Sequence, residues 1–500
     1  MSFMTRKRVH AWLGGGATVA VVVTALTSTA QADTRGLSAR VSADCTNGKL
    51  QVILSNRSDA EHTFKVAGPE DGTTASRTLA AGDATTLEWT RDQGSAYTIK
   101  ATTDSGFSKS ESGELGCGLG ANQPGMNTTE LFSTKTRFKG LVDENGQEYT
   151  GTAKSVRIPS MAVTNNGTVL AATDARVESS GDLGGDNNIQ IGLRRSTDQG
   201  KTWSDPTIAA HGENNSIGTA DSSLLVDRQT NRVFLFYNEA KEGVGYWTPE
   251  EGSGSNDKDD PKSIHVKYVT SDDNGASWSE PRDLNPDVKD PKWKGLFASS
   301  GHGIQTSGGR LIQPLVYRSD AGGNAVNIYS DDNGKTWKTG STAGSGFNEH
   351  KAIERGNGDI EQNMRSDTES KRYYAESKDG SSEFSEPWAS SLIDPKVNAD
   401  EISYLQPDAE GVDPSTKAPR RTGTALFSNP ASTSAREDLT VRLSEDDGRS
   451  YPDSALLRTG EAGYSTMAVL DDGSVGNLYE RGNDGGIYFS RFTLDWLRGS

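Results

Sequence analysis

The chain has 500 residues, with 52 basic and 69 acidic side chains and a formal charge of −17. A surface that acidic argues against nucleic acid and anionic lipid as partners. Hydrophobic residues make up only 32% and glycines number 56, a balance suited to short strands joined by turns rather than to packed helices.

Residues 1–32 read as a secretory signal peptide. A basic "MTRKRVH" precedes the apolar run "AWLGGGATVAVVVTAL", and Ala30-Gln31-Ala32 offers a small-residue cleavage site before Asp33. The run is too short and wrongly flanked for a membrane anchor, and Arg6-Lys7-Arg8 is not a twin-arginine pair. No later run approaches the ~20 apolar residues of a membrane span, and the closing "LDWLRGS" has no attachment tail. The expectation is a secreted, extracellular, monomeric protein. Without the signal, 49 basic residues face 69 acidic ones, a net charge of −20. The remaining length exceeds one small core, so two domains are expected.

Residues 33–120 are the first. "LQVILSNRS", "HTFKVAG", "TTLEWT" and "AYTIKATT" alternate apolar and polar positions between Gly-, Asp- and Ser-containing turns. This predicts a small immunoglobulin-like β-sandwich. Cys45 and Cys117 are the only cysteines, and in an exported protein they form one disulfide. Such a bridge contributes about 2–5 kcal/mol. Trp89, the segment's only tryptophan, reads as core rather than as a sugar platform. Residues 121–126 are a linker by composition, and the second domain spans 127–500.

The second domain repeats one polar turn. "STDQGKTWS" begins at Ser196, "SDDNGASWS" at Ser271 and "SDDNGKTWK" at Ser330, with weaker copies "SKDGSSEF" at Ser377 and "SEDDGRSY" at Ser444. In the frame S-x-D-x-G-x-x-aromatic, the glycine permits a left-handed hairpin backbone and the aspartate accepts hydrogen bonds from turn amides. The aromatic plugs a gap between neighbouring sheets. Strand-like runs precede the copies, which recur every 47 to 75 residues. That spacing indicates blades stacked around an axis.

These turns are Asp-boxes, and over roughly residues 127–496 the chain resembles the bacterial exo-sialidases. The resemblance implies an all-β protein, a six-bladed β-propeller preceded by the sandwich. It also implies a glycosidase for terminal sialic acids on glycans, needing no cofactor. Such an enzyme must hold a carboxylate attached to the anomeric carbon, for which bidentate guanidinium forks are suited. The family's three arginines match Arg157 in "VRIPSMAV", Arg365 in "FNEHKAIERGNGDIEQNMRSD" and Arg436 in "LFSNPASTSAREDLTVRLS".

The anomeric carbon beside that carboxylate would repel an anionic nucleophile, and sialidases use tyrosine instead. "GEAGYSTMAVLDDGSVGNLYE" matches the tyrosine strand and places the nucleophile at Tyr464. A phenol needs a base, and Glu349 matches the family glutamate in that role. Glu480 matches the acid that orients the first arginine. The general acid lies in "LAATDARVESSGDLGGDNNIQIG", which offers Asp174, Asp182 and Asp186. Alignment back from "NNIQ" selects Asp182, with Asp186 a lesser contender because one residue is inserted. Arg176 and Asp221 match residues near the ligand.

His302 in "GHGIQ" reads as a blade-strand entry rather than a base. The six histidines never cluster at ligand spacing, so no metal site is expected. "GLGAN" and "GSGSND" lack the context of a phosphate cradle and read as loops. A sialic-acid lectin on a dead propeller would lose Tyr464, Glu349 or the lid aspartate, and all are present. A purely structural propeller would not need the arginines. In "VFLFYNEAKEGVGYW", Tyr237, Asn238 and Glu239 fall near the recess for the sugar's acetamido group. Either Tyr237 lines the recess, the polar pair points to water and specificity is ordinary, or, as the alternative, the polar pair bonds a hydroxyl there and the enzyme tolerates or even prefers the deaminated sugar Kdn.

Overall fold

The computed structural model describes residues 36–44, 49–56, 58–69, 73–90, 96–114, 126–185, 188–247, 254–320, 322–404, 423–482 and 485–498. The signal segment, Cys45 and Cys117 with their expected disulfide, and Asp186 lie outside these residues. Within the N-terminal part, strands Leu37–Asp44, Lys49–Asn56 and Ala84–Thr90 form one antiparallel sheet. Strands Thr74–Leu79, His62–Ala67, Ala96–Thr103 and Ser108–Glu114 form a second. Alternation turns Leu50, Val52 and Leu54 of the first toward Phe64, Val66, Ile99 and Ala101 of the second, in one core on which Trp89 packs.

From residue 126 the described strands form six sheets, antiparallel except where Thr207–Ala210 pairs with Phe138–Val142 and Ile217–Asp227 with Gly301–His302. Their innermost strands include Ser155–Val163, Ile217–Asp227, Gly295–Ala298, Phe347–Glu354, Asp400–Ser403 and Ser465–Val469. Apolar clusters fill the gaps between successive sheets. Ala172 and Leu193 meet Leu224 and Leu235 between the first two sheets, and Phe234 and Phe236 meet Leu315 and Val326 at the next gap. The series runs round until Leu478 and Phe489 of the last sheet meet Phe138 and Val169 of the first. Closure is covalently economical: Met126–Phe132, the earliest strand of the ring, hydrogen-bonds to Ile487–Phe492, the latest. Both ends of the ring are thereby joined in the sixth blade.

Four of the repeated turns, those at Ser196, Ser271, Ser330 and Ser444, have one geometry, while the copy at Ser377 turns its hydroxyl to Ser382 instead. In the second blade Ser271 Oγ donates to Asp273 Oδ1 at 2.7 Å and accepts the Gly275 amide at 2.8 Å. Asp273 also accepts the Ser277 amide at 2.9 Å and its hydroxyl at 2.6 Å. Asn274 and Gly275 have φ of 58° and 77°, so two consecutive residues are left-handed, as a type I′ hairpin turn requires. A Cβ on Gly275 would stand 2.8 Å from Leu170 of the preceding blade. The box aromatics do the same work at larger radius. Trp203 meets Phe489, and Trp337 meets Phe234 and Phe236, each on the blade before. A box therefore ties a hairpin and a blade seam together. Asp273→Ala is expected to cost about 1–2 kcal/mol, read as a lowered melting temperature with turnover per folded molecule unchanged.

Candidate active site

The first arginine is set by a break in its strand. Between Arg157 and Ser160 the pairing slips, and Ile158 sits at φ 61°, a region a β-branched residue enters only when its surroundings impose it. Glu480, at the end of strand Val475–Glu480, supplies the imposition. Its Oε1 accepts Arg157 Nε at 2.8 Å and the Ile158 amide at 2.8 Å. Its Oε2 accepts Arg157 Nη2 at 3.3 Å and the Tyr464 amide at 2.9 Å. One buried carboxylate thus orients the guanidinium and anchors the backbone of the tyrosine beside it. A side chain on Gly463 would collide with the same carboxylate, its Cβ 2.0 Å from Oε2.

Tyr464 precedes the innermost strand of the sixth blade and is 9% exposed. Its hydroxyl donates to Glu349 Oε2 at 2.7 Å and accepts Arg365 Nη1 at 3.2 Å. The same Arg365 nitrogen donates to Glu349 Oε2 at 2.6 Å. The Arg157 and Arg436 guanidiniums lie 5.6 and 5.5 Å from the Tyr464 ring centre, and Arg436 Nη2 donates to the Lys396 carbonyl at 3.1 Å. Burial and the Glu349 charge push the Tyr464 hydroxyl well above its ordinary range, against the pull of the three arginines. The resting group is a neutral phenol already bonded to a carboxylate that can take its proton.

Two of the candidate acids, Asp174 and Asp182, separate by environment. Asp174, on strand Val169–Arg176, is fully buried. It accepts the Asp221 amide at 3.0 Å and Arg176 Nη2 at 3.2 Å, and burial raises its carboxyl to about 7 despite Arg176. Such a group cannot meet a leaving group. Asp182 stands on the following loop with its side chain 76% exposed, held by Arg176 Nη2 at 2.5 Å. Arg176 is itself only 2% exposed at the side chain and grips both acids with one nitrogen. Asp221, at φ 56°, completes this side of the site. Burial lifts its carboxyl well above the usual range, helped by the charges of Asp174, Asp182 and Glu349.

The expectation for the acetamido recess requires correction. Asn238 contacts Asp221, with Nδ2 3.4 Å from its Oδ2, but both ends of the amide are bound to one backbone unit. Oδ1 accepts the Ala298 amide at 2.7 Å and Nδ2 donates to the Ala298 carbonyl at 3.3 Å. Glu239 is paired with Lys267 at 2.5 Å. Tyr237 is fully buried in the seam between the first two blades. The reason is register: Asn238 pairs with Ala220 and Val266 in mid-sheet, so alternation sends Tyr237 and Asn238 to opposite faces of the blade. Tyr237 and Asn238 are buried, and Glu239 is engaged by Lys267 of the next strand. His302 Nε2 lies 2.9 Å from Asp400 Oδ1, spanning the ring, and has a structural place there.

Residues 167–477 match the family model described as a BNR repeat-like domain. A sialidase of Micromonospora viridifaciens is 38% identical over 353 residues, covering 69% of this chain and 52% of that protein. One from Bacteroides fragilis (strain YCH46) is 31% identical over 373 residues, covering 69% and 65%. The chain therefore spans about half to two thirds of the length of these relatives. Among solved structures, the Hadza microbial sialidase Hz136 superposes with a TM-score of 0.62 at 22% identity, covering 92% of this chain and 93% of that one. A leech intramolecular trans-sialidase gives 0.60 at 18% identity, covering 93% and 92%. At those identities the structures speak for the fold.

Proposed function

The chain belongs to the family of BNR repeat-like domains, and from its similarity to sialidases we propose that it is a secreted, retaining exo-α-sialidase of the Asp-box type, releasing terminal sialic acids from glycoconjugates. One observation carries the mechanism: the Tyr464 hydroxyl donates to Glu349 at 2.7 Å while Arg157, Arg365 and Arg436 surround the ring. A carboxylate-bearing sugar would seat its charge on the arginines. Asp182 then protonates the leaving glycosidic oxygen as Tyr464 Oη attacks the anomeric carbon and passes its proton to Glu349. Asp182 next removes a proton from the water that releases the sugar, so two inversions give net retention.

A lectin would need the arginines alone, and the tyrosine–glutamate bond has no place in that reading. A Kdn preference has lost the residues expected to serve it, because Asn238 and Glu239 are engaged elsewhere. Residues 127–500 are taken as the catalytic domain and 33–120 as an accessory one. The test is hydrolysis of a fluorogenic α-sialoside, with the first sugar released followed by proton NMR. An α-anomer supports retention, a β-anomer excludes it, and no turnover excludes the reading.

Arg365 gives a sharper check. Its single Nη1 serves both Glu349 and Tyr464, and the rest of its fork is left for the substrate. Lysine offers a point charge without the fork. Arg365→Lys is expected to lower kcat/KM about 10²-fold, the worth of one or two charged hydrogen bonds; near-normal kinetics would remove Arg365 from the clamp.

A further inference from the structure

Glu349 is held at both oxygens. While Oε2 faces Tyr464 and Arg365, Oε1 accepts Ser300 Oγ at 3.3 Å. Ser300 Oγ in turn accepts Asn398 Nδ2 at 2.7 Å. Asn398 Oδ1 accepts Lys351 Nζ at 2.7 Å, and the same ammonium donates to the Ser300 carbonyl at 2.6 Å. Ser300 follows the innermost strand of the third blade, Lys351 shares the strand of Glu349 in the fourth, and Asn398 precedes the first strand of the fifth. All four residues are buried, none more than 4% exposed. The packing is close: Gly301 has φ 111°, and a Cβ there would stand 2.9 Å from Lys351 Cε.

The direction of this chain of bonds is set at its far end. A lysine ammonium only donates, so the Asn398 amide must turn its oxygen to Lys351 and its NH₂ to Ser300. Ser300 Oγ, already accepting, has its own hydrogen left for Glu349. We propose that Lys351, Asn398 and Ser300 form a one-way hydrogen-bond relay that positions Glu349, in its carboxylate form, to take the Tyr464 proton. They are positioning residues of the sialidase reaction, and the proposal rests on the reading of Tyr464 and Glu349 given above.

The cost of the arrangement supports it. Among the described residues Lys351 makes no ion pair, and burying an ammonium on neutral acceptors is expensive. Burial lowers its pKa to about 8, against Asp400 and Glu349, which raise it, and Arg372, which lowers it further. His350 also feels its charge, and His302 stands behind Asp400. Asn398 Nδ2 also donates to the Ser300 carbonyl at 3.1 Å, an acceptor only, so the amide is held in the same orientation from both ends.

The test uses the full chain with Ser300→Ala and Asn398→Asp, the second nearly isosteric but presenting acceptors where Ser300 needs a donor. Each is expected to lower kcat about 10- to 100-fold on a fluorogenic sialoside, with KM within about twofold and cooperative melting retained. The double variant should be no slower than the worse single one, as for members of one network. Lys351→Met, which removes the donor to the Asn398 oxygen, should lower kcat to a similar degree with KM within about twofold. Single variants within twofold of wild-type kcat, losses shared by KM, or multiplicative losses would each overturn the relay. A wild-type chain with no sialoside turnover would instead overturn the reading of the site itself.

Discussion

Tyr464→Phe is expected to lower kcat by on the order of 10³–10⁵ while leaving the fold intact. The change deletes one atom, the nucleophilic oxygen. Without it no covalent glycosyl intermediate forms, and the remaining groups offer only binding, acid catalysis and electrostatic help. The ring keeps its packing on Ile158 and Val397 and its contacts with the Arg157 and Arg436 guanidiniums. Glu349 Oε2 loses the phenol but still accepts Arg365, so no buried carboxylate is stranded and the melting temperature should hardly move. Mass spectrometry after a fluorinated sialoside trap should find label on wild-type Tyr464 and none on the variant. Near-normal turnover by the phenylalanine variant would remove Tyr464 from the chemistry.

Asp182→Asn should produce the second largest effect, and one that depends on the leaving group. A sugar alkoxide leaves only with a proton, so kcat/KM on a sialyl-oligosaccharide is expected to fall about 10²–10⁴-fold, the usual worth of a general acid. An aryl sialoside leaves as a weakly basic phenoxide and should lose far less in the bond-breaking step. The loop is exposed, and losing the ion pair to Arg176 should change stability by no more than about 0.5 kcal/mol. Equal losses on the two substrates would show that Asp182 does not protonate the leaving oxygen, and Asp186→Asn measured alongside would identify the alternative acid.

Much of this was legible along the chain because it is local. An Asp-box lies within one hairpin, where Ser271, Asp273, Gly275 and Ser277 bond over separations of two to four residues. Its type and position can therefore be read from a short window, and with it the blade architecture. The catalytic residues were legible for a different reason. Arg157, Arg365, Arg436, Glu349 and Tyr464 each stand in a recognisable short motif, although no window contains two of the arginines.

What only the tertiary structure decided lies between blades. Glu480 serves Arg157 across 323 residues, and Ser300 reaches Glu349 across 49 and Asn398 across 98. Hydrogen bonds of that span leave no periodicity, so Ser300, Lys351 and Asn398 read as ordinary strand and loop residues. Motif alignment alone chose Asp182 over Asp174, eight residues before it on the same segment, and only the fold shows that the first is exposed and the second buried. Asn238 and Glu239 were misjudged for the same physical reason. A strand's alternation shows that neighbouring side chains face opposite ways, but which way each faces is set by the register against Ala220 and Val266 and by the strand-pairing slip between Ala220 and Ser223. The composition and repeats determined a ring of blades; the packing of one blade against the next decided which of its polar residues meet a substrate and which hold the ring together.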